Sequence, residues 1–282
     1  MMTGKLYING IDIYTSFGLY SCDQGYNSLI QWASLKDVPY NDWYEENGIE
    51  PDLSEPVVDS RTCTLHLAGR SSDAKIGDLL SLVSNGATPN TIEVTEIDRT
   101  FSNLVYLNAS EPKVVDDLWQ IDLSFVDDCP VVPVPGSPQS NVASCNDYAI
   151  DGRLFTDYGV RILAGTRSSL AQIPARKTNW EYSSEYAHGI ISGNNNVGHT
   201  KAYEATLRCL MRADSLTELW NNYDALYAQL VSAGAHHIDA TAIAKRYPCY
   251  YRYATVKRFY ASDKIWLEFD ITVNIYTTPI NI

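Results

Sequence analysis

Apolar and polar residues alternate in four stretches of the chain. Cys63, Leu65 and Leu67 form one such set, and Ala205, Leu207 and Cys209 a second. Trp119, Ile121, Leu123 and Phe125 alternate with Gln120, Asp122 and Ser124, and Leu267, Phe269, Ile271 and Val273 with Glu268, Asp270 and Thr272. A period of two marks a strand with one buried face. Between these strands the period becomes helical. Leu216, Leu219, Trp220, Tyr223, Leu226, Tyr227, Leu230 and Val231 fall on one stripe, Ser215 and Glu218 have capping-box spacing, and Gly234 offers a stop. A shorter helix is predicted from about Asp73 to Gly86, with Ile76, Leu79, Leu80 and Val83 as its stripe.

These elements come in matched pairs. Ile13-Tyr14-Thr15-Ser16-Phe17-Gly18-Leu19 returns as Leu154-Phe155-Thr156-Asp157-Tyr158-Gly159-Val160, with Gly159 lying 141 positions after Gly18. Ile8-Asn9-Gly10 returns as Ile150-Asp151-Gly152, and both Asn-Gly and Asp-Gly are hairpin signals. Thr64-Leu65-His66 and Arg70 correspond to Thr206-Leu207-Arg208 and Arg212. The pattern implies a tandem repeat whose second helix carries about two extra turns.

Between the repeats lies Cys129-Pro130-Val131-Val132-Pro133-Val134-Pro135-Gly136-Ser137-Pro138 and then a Ser/Asn stretch. So many prolines favour an extended spacer over a central strand. The expected organisation is a first domain over 1–128, a linker over 129–147 and a second domain over 148–282. Each domain reads as strand, long excursion, strand, helix and further strands. The fold class is therefore α+β, mainly β: two tandem copies of a β-sandwich or open-barrel domain, each with one flanking helix.

Composition adds limits. With 282 residues and 45% hydrophobic content, each half can bury a core, and the 20 tyrosines suit half-buried pleated surfaces. Six cysteines without a C-x-x-C pair read as reduced small hydrophobes. Neither a signal peptide nor a membrane span is expected. The net charge of −13 argues against an affinity-driven nucleic-acid binder, while suiting a wall that DNA slides past.

The long excursions, roughly 24–58 and 163–198, are the candidate interaction segments. The first carries Asp37, Asp42, Glu45, Glu46, Glu50, Asp52, Glu55 and Asp59 with no lysine or arginine from 37 to 59; the second carries Arg167, Arg176 and Lys177 beside Glu181 and Glu185. Glu45, Glu46, Glu50, Asp52, Glu55, Arg167, Arg176 and Lys177 are the candidate subunit-interface residues, where opposite charge would set register. The same runs also fit solvated loops.

No catalytic, cofactor-binding or metal-binding set is expected. Gly193-Asn194-Asn195-Asn196-Val197-Gly198-His199-Thr200 mimics a phosphate loop, but His199 stands where lysine is needed, so it reads as a hairpin turn. His236 and His237 with Asp239 lack a third ligand of suitable spacing, and His66, His188 and His199 lack a nucleophile motif. Trp32, Trp43 and Tyr44, and Tyr247, Tyr250, Tyr251 and Tyr253, suit a core or interface and, on a second reading, a sugar-stacking surface.

From Ile8-Asn9-Gly10-Ile11-Asp12-Ile13 to Phe17-Gly18-Leu19 the chain resembles the opening of siphophage distal tail proteins and related tail-tube proteins. That resemblance implies a β-sandwich with one flanking helix and a non-enzymatic role in a tail ring of tube, distal-tail or baseplate-hub type. It further implies partners among copies of itself and other tail proteins, a trimer with pseudo-six-fold symmetry or a hexamer, DNA passing through unbound, no cofactor and no membrane. The location implied is the virion tail, with assembly in the host cytoplasm. A true tandem copy favours tube or hub over distal tail protein. A carbohydrate-binding or adhesion module with two lectin-like lobes is the alternative.

Overall fold

The computed structural model describes residues 3–86, 88–134, 136–177, 181–186, 188–192, 198–262 and 264–282. In the first half, β1 (Leu6–Ile8), β2 (Ile11–Asp12) and β3 (Leu19–Ser21) are short. A small hairpin, β4 (Tyr40–Asn41) and β5 (Glu50–Pro51), precedes β6 (Arg61–Arg70). Then come β7 (Asn90–Val94), β8 (Arg99–Ala109), β9 (Lys113–Val115) and β10 (Leu118–Asp127). The second half repeats the plan with β11 (Tyr148–Ile150), β12 (Arg153–Leu154), β13 (Val160–Ile162), the hairpin β14 (Glu181–Ser183) and β15 (Ile190–Ser192), and β16 (Tyr203–Ala213). It closes with β17 (His236–Ala240), β18 (Lys245–Tyr260), β19 (Ile265–Ile275) and β20 (Ile280–Asn281).

Two large antiparallel sheets result, in orders β2-β1-β7-β8-β10-β6-β3 and β12-β11-β17-β18-β19-β16-β13. Place for place, the two orders are the same. The alternating stretches are the central strands: Cys63, Leu65 and Leu67 of β6 and Ile121, Leu123 and Phe125 of β10 are buried, as are Ala205, Leu207 and Cys209 of β16 and Leu267, Phe269, Ile271 and Val273 of β19. The chain is mainly β with few helices, an α+β fold.

Five helices are described: α1 (Ile13–Phe17), α2 (Asn27–Ile30), α3 (Ile76–Val83), α4 (Thr166–Leu170) and α5 (Leu216–Leu230). The Ser215 hydroxyl caps α5 by accepting from the Glu218 amide at 3.1 Å, and Glu218 accepts from the Asp214 amide at 2.9 Å. α5 has fifteen residues and α3 eight. α3 begins three residues later than the sequence predicts, because the Asp73 and Ala74 amides turn back on the Arg70 carbonyl and the Lys75 amide donates to Phe17. α5 stops at Leu230, short of Gly234, whose amide is taken by the Leu53 carbonyl.

One difference concerns the opening motif. Its centre is a helical turn rather than strand: the Asp12 carboxylate accepts from the Tyr14 and Thr15 amides, and Gly18 ends the turn at φ +67°. Phe155–Tyr158 forms the matching 3₁₀ turn, ended by Gly159 at φ +73°. Asn9-Gly10 and Asp151-Gly152 both have positive φ throughout, as a two-residue type I′ hairpin requires. No helix among the described residues is long and apolar enough to cross a membrane.

One large apolar cluster, from Leu6 to Ile275, runs through both sheets, and a small second one gathers Val38, Leu53 and Tyr250. The proline-rich segment lies against the second half. The buried Asn222 side chain holds both polar groups of the Gln139 backbone, at 2.9 and 2.7 Å.

Candidate assembly surface

The first excursion leaves its own sheet and ends inside the other half. Its base is fixed at home: the Arg61 guanidinium, paired with Asp127 at 3.1 Å, donates to the Leu29 and Gln31 carbonyls at 3.1 and 2.5 Å. The Thr64 amide donates to the Ser28 hydroxyl at 3.1 Å. From there Trp32, only 5% exposed, enters an aromatic box in the second half. Its ring stacks on Tyr223 at 4.4 Å and Tyr227 at 5.2 Å, and meets Phe269 and Tyr251 edge-on at 5.4 and 6.3 Å. The box also reads the backbone. Tyr227 and Tyr251 hydroxyls donate to the Ala33 carbonyl at 3.2 and 3.0 Å, and Tyr223 donates to Ile30 at 3.2 Å. Burial pushes the Tyr223 and Tyr227 hydroxyls up, so they stay protonated donors.

The arm covers an open sheet edge as well. β17 pairs with β18 only as far as Cys249, leaving the rest of β18 without a strand on that side among the described residues. Residues 24–36 of the first half fill this gap. The Leu35 amide donates to the Arg252 carbonyl at 3.0 Å, the Gln24 side chain takes both polar groups of Phe259 at 2.7 and 3.0 Å, and Asn27 donates to Lys257 at 3.2 Å. Elsewhere along the junction Arg99 grips Asp224 in two-pronged fashion at 2.9 and 3.1 Å and lies 4.5 Å over the Trp220 ring. The Trp220 indole donates to Ile97 at 2.7 Å.

The charged candidates divide by what they touch. Lys177 is buried and bound within the chain: its ammonium lies 2.5 Å from Asp42 and 2.6 Å from the Trp43 carbonyl. Arg252, which the sequence pattern did not single out, lies 3.4 Å from Asp37. Glu50 accepts from the Trp43 indole at 3.0 Å, and these hydrogen bonds hold its carboxyl below the usual range; Asp52 is held down likewise by the Ser54 hydroxyl and amide. Glu45, Glu46, Glu55, Arg167 and Arg176 are exposed. The β4–β5 hairpin is seated by its backbone, with the Gly48 amide on Thr200 at 2.7 Å and the Ile49 amide on Tyr276 at 2.8 Å.

Trp32, Tyr247, Tyr250 and Tyr251 are core residues, whereas Trp43, Tyr44 and Tyr253 are 51%, 64% and 44% exposed. His236 hydrogen-bonds to Asp151 and the Ser232 carbonyl, and no metal-binding group of side chains occurs among the described residues. Of the phosphate-loop mimic, residues 193–197 lie outside the described residues. Cys63, Cys209 and Cys249 are buried; Cys129 is exposed; none of the six is in a disulfide. Arg61, Arg99 and Trp32 as anchors were missed, although Trp32 was visible as an aromatic. Their partners lie far away in sequence.

No family model matches the chain, and no curated protein does either. Among solved structures it is similar to the crystal structure of the phage SPP1 Dit (gp 19.1) protein, described as a paradigm of hub adsorption apparatus in Gram-positive infecting phages. That match covers 96% of this chain and 97% of that one, at 8% identity and a TM-score of 0.32.

Proposed function

We propose that this chain is a non-enzymatic structural component of a bacteriophage tail, a tandem duplication that forms part of a ring around a DNA channel. The observation that carries the reading is the pair of sheets with one strand order, locked to each other by an arm of the first half. Two equivalent lobes docked side by side are the repeating step of a ring, and such an interface closes when the rotation between lobes allows it. Three copies would supply six pseudo-equivalent lobes. The opening motif that resembles tail-tube and distal tail proteins points to the same assembly. The charge of −13 lets DNA pass without sticking. Other tail proteins would be its neighbours above and below, in a virion tail assembled in the host cytoplasm.

Native mass spectrometry with cryo-electron microscopy tests this. A closed particle of three 31.5 kDa chains with a central channel is the expected result. A strict monomer at every concentration would remove the ring.

A further inference from the structure

What Trp32 and its arm cover in the second half has an uncovered counterpart in the first, and the tip of the matching arm, residues 171–176, is exposed apart from the half-buried Pro174. The two arms are in register by their own hydrogen bonds. Leu35 bridges Val58 as Arg176 bridges Thr200. The Thr64 amide donates to Ser28 as the Thr206 amide donates to Ser169. Arg61 holds the Leu29 carbonyl as the Tyr203 hydroxyl holds Leu170 at 2.8 Å. By this register Ile173 occupies the place of Trp32. Trp32 is 5% exposed and Ile173 94%.

The sheets supply a second register. Phe125 of β10 pairs Tyr106 as Val273 of β19 pairs Tyr251, and the bulge that follows falls at Leu107 in β8 and at Arg252 in β18. Leu107 is thus the counterpart of the residue whose carbonyl receives the first arm. β7 pairs with β8 only as far as Leu104, just as β17 leaves β18 at Cys249. On β18 the gap is filled from within the chain. On β8 it is empty among the described residues, and Val105 and Leu107 are 45% and 55% exposed, with Val114 and Val115 of β9 at 52% and 51%. An apolar, unpaired sheet edge invites another segment to cover it.

We propose that the exposed tip of the second arm, residues 171–176 of one copy, docks on the β8–β9 edge of a second copy of this chain, while the buried Leu170 and Lys177 anchor the arm in its own copy. Ile173 would lie against Tyr106 and Leu107. The Tyr106 hydroxyl would donate to the Pro174 carbonyl as Tyr251 does to Ala33, and the Arg176 amide to the Leu107 carbonyl as Leu35 does to Arg252. Charge agrees with this occupant on balance, since the arm carries exposed Arg167 and Arg176 and the edge carries exposed Glu111, Asp116 and Asp117 against one exposed cation, Lys113. The contact is head-to-tail, so each copy has one donor arm and one acceptor edge. Only the number of copies in the closed assembly rests on the ring reading above.

Ile173→Asp and Leu107→Asp test the arm and the edge separately. Both positions are more than half exposed, so each variant keeps the circular dichroism and melting of the parent; Ile173→Ser repeats the arm test with a smaller change. By analytical ultracentrifugation each variant alone is expected to be monomeric where the parent is assembled. Mixed in equal amounts they form a dimer of two 31.5 kDa chains and nothing larger, because one intact arm then meets one intact edge. Variants that assemble like the parent overturn the arm assignment and leave the ring standing. A parent that stays monomeric overturns both, and a mixture that stays monomeric while the parent assembles overturns the head-to-tail pairing.

Discussion

Asp151, at the tip of the second half's first hairpin, does with a carboxylate what Asn9 does with an amide in the first. Asn9 accepts from the Thr91 amide at 2.9 Å and donates to Asn90 at 2.8 Å. Asp151 accepts from the His237 amide at 2.8 Å, from Gln229 at 2.7 Å and from His236 at 2.7 Å. The second ring nitrogen of His236 faces the Ser232 carbonyl at 3.0 Å, so both nitrogens meet acceptors and the imidazolium satisfies both. Burial pulls the His236 pKa down, but these hydrogen bonds and the Asp151 charge outweigh it and leave the value raised. Burial raises Asp151, and its three donors overcome that to leave it lowered. The signs then follow. The imidazolium's contribution is complete below the ordinary histidine value of about 6.5 and is lost as pH rises through the raised folded value. The carboxylate's contribution is complete above about 3.9 and is lost as pH falls through the lowered folded value. Exchange protection of the His237 amide is therefore expected to be greatest between those limits, declining on the alkaline side with the titration of His236 seen by NMR. Asp151→Ala, which leaves several donors unanswered, should cost about 1–3 kcal/mol in chemical denaturation, and Asp151→Asn distinctly less. Equal losses for the two variants would contradict the account.

The elements legible in the sequence were those whose evidence is local. β6, β10, β16 and β19 show their buried faces as alternation, and α5 shows its stripe and its capping box. α1 was not legible, because five residues cannot carry a helical period and the turn depends on Asp12 as cap and Gly18 as stop. The acidic excursion was legible as charge but not as place. Lys177 reaches Asp42 across 135 positions, a pairing with no trace in residue spacing. The β4–β5 hairpin shows how such a loop is seated. Gly48 has φ +74°, and a Cβ there would come within 1.8 Å of the Tyr276 carbonyl oxygen. Only glycine allows that approach. Gly48→Ala should lift the hairpin off the second half and make its backbone cleavable by protease, with the main unfolding transition little changed. Resistance equal to the parent's would show that the close contact is not what holds the hairpin.

At the scale of the whole molecule, two sheets of one plan share one core, and Trp32 is the side chain inserted deepest across their junction. A proline-rich connection of the kind expected over 129–147 would by itself let two lobes move independently. Here the first arm closes the gap. Trp32 sits among Tyr223, Tyr227, Tyr251 and Phe269, while the Arg99–Asp224 pair and the Gln24 and Asn27 side chains fix the surrounding backbone. The intact chain should therefore unfold in one calorimetric transition whose van't Hoff and calorimetric enthalpies agree. Removing the indole leaves a cavity inside the aromatic box and loosens the arm, whose Ile30 and Ala33 backbone carbonyls accept from three tyrosine hydroxyls of the box. The loss expected for Trp32→Ala is about 3–5 kcal/mol, borne mainly by the coupling between the halves. The variant's heat-capacity trace should split, with the half that depends on the arm melting first. Tyr251→Phe tests the polar share alone: it keeps the ring, removes one bond to Ala33, and should lower the midpoint without splitting the transition. If Trp32→Ala still melts as one unit at the parent's temperature, the halves are coupled by some other contact. The arm would then lose its claim to be the joint from which a ring is repeated.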